Sequence, residues 1–434
     1  MMKQTHWKKQ LMAALTGGFL VLHSVSAFAA PIELSLEESI ARALQNNPAI
    51  KIADADRQGA EYDIRVAKGG KLPTLKLEHS DGRSKTYVKD IASIGNEFGS
   101  SVTLGMNLYT GGEVEGAIEK AKIGLKVADL DVEKSKQQIK LDATNGYFTI
   151  LQTRNTVKVD QESVDQMAAH LKNVEAQYNV GTVAKSDVLR SQVELANNQQ
   201  TLTKAQNAYE IAVSNLNNVM GLPLDTEIQI KNELVHEPYN LSLEDSINYA
   251  MSNRPEAIQA DHNIEIAKQS VKIAKAGNLP TVAASASQRW ADDDFPGTDD
   301  NGWSIGLKAT WTPFDSGVTN AQIKKSKSEV EKSLQTAKQT KDAVQLEVRQ
   351  AYLNMIEAEK RISTSQVTVE QADEDFKIAQ VRYSAGVGTN TDVIDAQVAL
   401  TQAKNNYIQA MYDFNTSKAN LTKAMGVPVE TVKE

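Results

Sequence analysis

Cysteine is absent from all 434 residues, which excludes disulfide frameworks, thiolate metal centres and cysteine nucleophiles together. Aromatic side chains make up 6% of the chain, too few for a thick globular core, while Ala, Gln, Asn and Lys crowd long stretches and favour long, thinly packed helices. Beyond the first thirty residues or so no apolar run is long enough to cross a bilayer as a helix. P-loop, GxGxxG and nucleophile-elbow patterns are missing, and His79, His170, His236 and His262 stand apart, without ligand spacing or a paired acid. The sequence therefore reads as neither an enzyme nor a cofactor-binding protein.

The N-terminus does carry a signal. Lys3, Lys8 and Lys9 form a basic region, "LMAALTGGFLVLHSV" is apolar, and Ala27-Phe28-Ala29 offers small residues to a signal peptidase. Residues 1–29 read as a secretory leader cut after Ala29. Removing its three lysines leaves 47 − 3 = 44 Lys+Arg against 55 Asp+Glu, a net charge of −11. An exported, acidic chain argues against nucleic acid as a partner.

The rest is written twice. "YNVGTVAKSDVLRSQVEL" from Tyr178 returns as "YSAGVGTNTDVIDAQVAL" from Tyr383, 205 residues on, with seven of eighteen positions identical. "LSLEESI" at Leu34 returns as "LSLEDSI" at Leu241, "KLPT" at Lys71 as "NLPT" at Asn278, and "MGLPLD" at Met220 as "MGVPVE" at Met425. Residues 30–235 and 236–434 thus read as two structural repeats. Each opens on a capped short helix (Ser35 with Glu38, Ser242 with Asp245) and continues in a second helix starting at Pro48 or Pro255.

A period of two follows. Leu75 and Leu77, then Val102, Leu104, Met106 and Leu108, alternate with polar residues in the first repeat. In the second, Val282, Ala284 and Ala286, then Trp303, Ile305, Leu307, Ala309 and Trp311, do the same. Strands of about nine or ten residues, apolar on one face and polar on the other, have the length that crosses a membrane. They form β-hairpins at about 72–109 and 280–314, and Trp290, Trp303 and Trp311 fall near strand ends, where an aromatic girdle lies. Long helical hairpins follow, at about 113–220 and 318–425. Four strands cannot close a barrel, and open edges in lipid are costly, so the strands demand partner chains. Two chains give eight strands and three give twelve; strand number alone does not choose. The rival reading is a periplasmic or envelope coiled-coil structural or adhesion protein whose hairpins never form a membrane pore.

The paired "LSLE" openings, paired "LPT" switches and paired "Y..G.....DV" phrases, in this order over Leu34 to Val429, resemble the TolC family of outer-membrane efflux proteins. The resemblance implies a mainly α fold with a small membrane β part: a homotrimer pooling twelve strands into an outer-membrane β-barrel, above an α-barrel of long antiparallel helical hairpins in the periplasm. It implies an exit duct for efflux or type I secretion, joined through a periplasmic adaptor to an inner-membrane pump, with outer-membrane lipid around its strands. The doubled phrase then marks two kinds of hairpin tip at the periplasmic mouth. Asp392 and Asp395, three apart on one helix face, take the place of the family's acidic constriction, while Thr389 and Asp392 also have capping-box spacing. Asp187, Arg190, Tyr178 and Tyr383 are the expected tip contacts, with Gly181, Gly386 and Gly388 in adaptor-facing turns. Gly388 stands where a basic residue is expected, so the closed mouth is expected to rely on hydrogen bonding by Tyr383. The acidic loop Ala291 to Gly302 lacks EF-hand spacing and reads as solvated.

Overall fold

The computed structural model describes residues 32–88 and 91–429. The leader 1–29, with its cut after Ala29, lies outside the described residues. The chain runs β1 (Ile32–Leu34), α1 (Leu36–Asn46), α2 (Pro48–Gly69), β2 (Thr74–Val88), β3 (Ile91–Tyr109), α3 (Glu113–Asn179), α4 (Lys185–Met220) and β4 (Ile228–Ile230). The second repeat gives α5 (Leu243–Asn253), α6 (Pro255–Ala276), β5 (Thr281–Asp292), β6 (Asp300–Thr310), α7 (Val318–Ser384) and α8 (Asn390–Ala424). The expectation of a mainly helical, twice-written chain with a small β part holds. Helices α3 and α7 have 67 residues each, about 100 Å at 1.5 Å per residue.

Local chemistry sets the helix ends. Ser35 and Glu38 form a reciprocal capping box, and Pro48 and Pro255 occupy the first turns of α2 and α6. Ser242 caps Asp245 N–H, but the Asp245 carboxylate takes the Ser242 hydroxyl rather than its backbone N–H, so only half the box is made. Asn47 caps α2 through the N–H of Ala49 and donates from Nδ2 to the Val219 carbonyl near the end of α4. In the second repeat Arg254 makes the corresponding tie, to the Lys423 carbonyl near the end of α8.

The four long strands make one sheet in the order β2-β3-β5-β6, every neighbour antiparallel. Cross-strand partners share a face, so register sorts the side chains into two surfaces. One carries Leu77–Val102–Gln288–Trp303, Leu75–Leu104–Ala286–Ile305 and Met106–Ala284–Leu307. The other carries Lys76–Thr103–Ser287–Ser304, Glu78–Ser101–Arg289–Gly302 and Thr74–Gly105–Ser285–Gly306. The apolar surface is continuous across the chain. An irregularity between Asn107 and Tyr109 brings Tyr109 opposite Val282 on that surface. The outer edges of β2 and β6 have no ladder partner among the described residues.

Strand length corrects the sequence expectation of nine or ten residues. β5 and β6 have 12 and 11, but β2 and β3 have 15 and 19. Past Leu77 the apolar-side positions become His79, Asp81 and Arg83, which ends the alternation while the backbone ladder continues.

Packing is thin and repeated. Tyr147, Ile150, Leu151, Leu216 and Met220 bury the join of α3, α4, α1 and β1. Val348, Met355, Phe414, Leu421 and Met425 do the same for α7, α8 and α5. The third cluster differs: Val174 and Val188 of the first hairpin pack with Phe376, Tyr383, Val393 and Leu400 of the second. Helix α3 touches α2 and α4 of its own repeat and α6 and α8 of the other, whereas α7 packs only on α5, α6 and α8 among the described residues with extended contact.

Candidate functional site: the hairpin tips

Both tips are tight helix-turn-helix corners with a left-handed glycine. Gly181 has φ +80° and Gly386 φ +74°, a conformation that costs a side-chain-bearing residue about 1 kcal/mol. Thr182 N–H reaches back to the Gln177 carbonyl (3.0 Å) and Val387 N–H to that of Arg382 (3.0 Å), closing the last turns of α3 and α7. Gly388 is crowded by backbone: a Cβ there would lie 3.0 Å from the Tyr383 nitrogen and 3.1 Å from the Arg382 carbonyl carbon, so the basic residue that the family resemblance implies at this position would need the turn to shift by a few tenths of an ångström.

One amide ties the tips of a chain together. Asn390, the first residue of α8, is 4% exposed. Its Oδ1 lies 2.6 Å from His170 Nε2 on α3 and accepts from Ser191 Oγ of α4 at 3.2 Å. Its Nδ2 donates to the Asp187 carbonyl at 3.1 Å. With Oδ1 fixed as acceptor, the proton of His170 belongs on Nε2. Burial pushes the His170 pKa down, against the opposing pull of the Asn390 hydrogen bond. Beside it, Arg190 donates to Thr391 Oγ1 at 2.6 Å.

Tyr383 corrects the sequence expectation. Its ring is 7% exposed and meets the His170 ring edge-on at 5.1 Å, but its buried hydroxyl has no hydrogen-bond partner among the described residues. Burial, then the nearby Asp187 carboxylate, raise its pKa. Tyr383 therefore packs at the tip as a ring, and the hydrogen bonds that join the two tips are made by Asn390 and by Arg190 with Thr391. Its counterpart Tyr178 is 39% exposed and carries Lys185 Nζ over its ring at 5.2 Å. The two tips have diverged chemically.

Asp392 and Asp395 are both exposed on one face at the start of α8. Asp392 also completes a capping box: Thr389 N–H donates to Oδ2 at 2.9 Å, and Thr389 Oγ1 accepts from Asp392 N–H at 3.1 Å. The Thr389 backbone N–H, then its hydroxyl, hold the Asp392 carboxyl below the usual range, with Arg382 adding to the effect. The capping and charge roles are compatible, because the carboxylate stays ionised while it caps.

At the other end of the chain, Trp290 pairs with Asn301 and Trp303 with Gln288, on the apolar surface beside the 293–299 loop. Trp311 follows β6 at the opposite end of that surface and donates from Nε1 to the Asn278 carbonyl at 3.2 Å. Among the described residues no group of His, Asp and Glu could hold a metal ion.

Asn390 and Ser191 were missed from sequence, and His170 was read as isolated. Their meeting joins positions about two hundred residues apart, and only the repeat offset, which maps Asn390 onto Lys185, hints that the position is special.

A family model described as "Outer membrane efflux protein" matches residues 39–222 and 246–427, one match for each repeat. The chain belongs to the outer membrane efflux protein family. Among its relatives, outer membrane protein TolC of Salmonella enteritidis is 24% identical, over 88% of this chain and 79% of the relative. Alkaline protease secretion protein AprF of Pseudomonas aeruginosa is 22% identical, over 96% and 89%. The fold is that of the Campylobacter jejuni CmeC outer membrane channel (TM-score 0.79, 17% identity, 92% of this chain and 87% of that one). The outer-membrane channel OprN is as similar (TM-score 0.80, 17% identity, 90% and 89%).

Proposed function

We propose that this outer membrane efflux protein is a passive channel-tunnel: three copies form the exit duct of an efflux or type I secretion system, with a periplasmic adaptor and inner-membrane pump supplying cargo. The observation that carries it is the sheet. One continuous apolar face and two unpaired outer edges stand at one end of helical hairpins about 100 Å long. β2 and β6 run in opposite directions, so β6 of one copy and β2 of the next continue the antiparallel ladder, and three copies of the 4-stranded sheet close twelve strands. The apolar face then meets lipid, bounded by Trp290 and Trp303 on one side and Trp311 with Tyr109 on the other. The Ser- and Gly-rich face lines a wet lumen.

At the periplasmic mouth, three copies of Asp392 and Asp395 form stacked carboxylate rings that attract cations. The names of the relatives cover both protease secretion and solvent efflux, so cargo is set by the pump. The test is single-channel conductance of the mature protein in a planar bilayer. Cation-selective steps, with selectivity reduced in Asp392→Asn/Asp395→Asn, are expected. Unaltered selectivity moves the constriction elsewhere, and folded protein that forms no channels overturns the duct.

A further inference from the structure

The helical hairpins superimpose on an offset of 205 residues: Gly112 and Gly317 cap α3 and α7, and Lys185 and Asn390 open α4 and α8. The preceding helices α2 and α6 follow an offset of 207. These offsets carry contacts as well as elements. A Cβ on Gly70 would lie 3.2 Å from Val114, and a Cβ on Gly277 would lie 3.1 Å from Thr319, which is the same contact written in each repeat.

Among the long helices the offsets fail where one repeat meets the other. α3 packs on α6 and α8 of the other repeat, but α7 lacks the matching extended contact with α2 and α4. A second copy of the chain can supply those two helices. Three contacts on α3 define what it would meet. Gly116 packs under Ile273 of α6, so closely that a Cβ would lie 2.8 Å from its Cγ1. Gln152 Nε2 donates to Gln409 Oε1 at 2.9 Å, and His170 Nε2 meets Asn390 Oδ1 at 2.6 Å. Shifted by the offsets, these pairs become Ala321 with Val66, Glu357 with Lys204, and Asp375 with Lys185.

The shifted pairs are complementary. Ile with Gly and Val with Ala place the same number of side-chain carbons in the contact, so the volume is conserved. Val66, an apolar residue near the end of α2, is 75% exposed in the single chain. Two neutral pairs become two acid–base pairs, each with the acid on α7. Ala321, Glu357 and Asp375 are 36 and 18 residues apart, ten and five whole turns at 3.6 residues each, so they lie on one stripe of α7. All six residues are exposed in the single chain.

We infer that neighbouring copies join through this stripe: Ala321, Glu357 and Asp375 of one copy against Val66, Lys204 and Lys185 of the next. The inference rests on the trimeric reading and adds to it that the two seams of the tunnel differ chemically. The seam inside a chain centres on neutral amide and imidazole pairs, with one ion pair among the described residues, Lys404–Glu162 at 2.9 Å, whose shifted positions are Gln199 and Val367. The seam between chains is ion-paired. Binding the neighbour moves Glu357 from its contact with Arg361 and Lys185 from the Tyr178 ring.

The absence of native cysteine makes the test direct. In Val66→Cys/Ala321→Cys, the Ile273–Gly116 contact, with 2.8 Å between Cγ1 and a Cβ on the glycine, brings the two side chains within disulfide reach. Mild oxidation of the detergent-purified protein is expected to give covalent dimers and trimers on a non-reducing gel, while each single variant stays monomeric there. Light scattering before oxidation reports assembly separately. A trimer whose cysteines stay reduced, or link only within one chain, overturns the contact assignment and leaves the trimer standing. A folded monomer overturns both. If the pair fails to fold, Lys204→Cys/Glu357→Cys with a short bis-maleimide reads the same seam by the same criteria.

Discussion

His170 Nε2 and Asn390 Oδ1 lie 2.6 Å apart, joining α3 to the start of α8 across 220 residues of sequence. Because the same amide also serves Ser191 and the Asp187 carbonyl, one side chain fastens the far ends of both hairpins.

Asn390→Ala takes the shared acceptor from His170 Nε2 and Ser191 Oγ, both buried. A loss of about 2–3 kcal/mol is expected from leaving such groups unsatisfied. Urea unfolding measures it, and limited proteolysis should cut at the tips before the rest of the chain. Asn390→Ala with the tips still protected would show that Tyr383 packing alone holds them.

The His170 junction should weaken in acid. Burial depresses the His170 pKa, so the folded state prefers the neutral ring. Its stabilisation is complete above the unfolded value of about 6.5 and is lost as pH falls through the lower folded value. Thermal stability measured from pH 7 to pH 5 should fall, and His170→Gln should flatten that part of the profile.

Arg254 is 3% exposed by side chain and binds Glu256 at 2.7 Å and Glu347 at 2.8 Å besides the Lys423 carbonyl. Burial would raise the Glu256 pKa, yet the Arg254 hydrogen bond and charge leave it lowered. Arg254→Ala should cost about 3 kcal/mol, as the removal of one partner from a buried ion pair does. Asn47→Ala, the equivalent change in the first repeat, loses a helix cap and should cost about 1 kcal/mol. Parallel denaturation curves would test the ratio.

Leu307 and Ser304 sit on opposite faces of β6. An arginine at Leu307 would face lipid and cost about 2–4 kcal/mol near mid-membrane, so assembled protein in the outer membrane should drop sharply. An arginine at Ser304 would face the lumen and should leave assembly intact while altering conductance. Equal effects would contradict the assignment of faces.

Sequence legibility followed periodicity. The repeat offset, the Pro48 and Pro255 helix starts and the alternation through Leu104 and Ile305 disclose the fold, because each is a local pattern forced by backbone geometry. The outer halves of β2 and β3 were hidden, since His79, Asp81 and Arg83 follow the ladder without an apolar face to mark it. At the tips, Asp392 was visible as a cap from its spacing to Thr389. The Asn390 junction was not, because nothing local in "GTNTD" says which helix an amide will meet. Tyr383 was noticed for its hydroxyl, whereas its ring is what packs.

The unpaired edges of β2 and β6 set an order of events for biogenesis. A lone chain placed in a bilayer would expose two rows of backbone N–H and C=O groups to hydrocarbon, at several kcal/mol for each. The long helices face no such penalty and can meet in water. In the proposed trimer, membrane entry would therefore come last: the chains would find one another first, and insertion would wait for the copy that closes the ring.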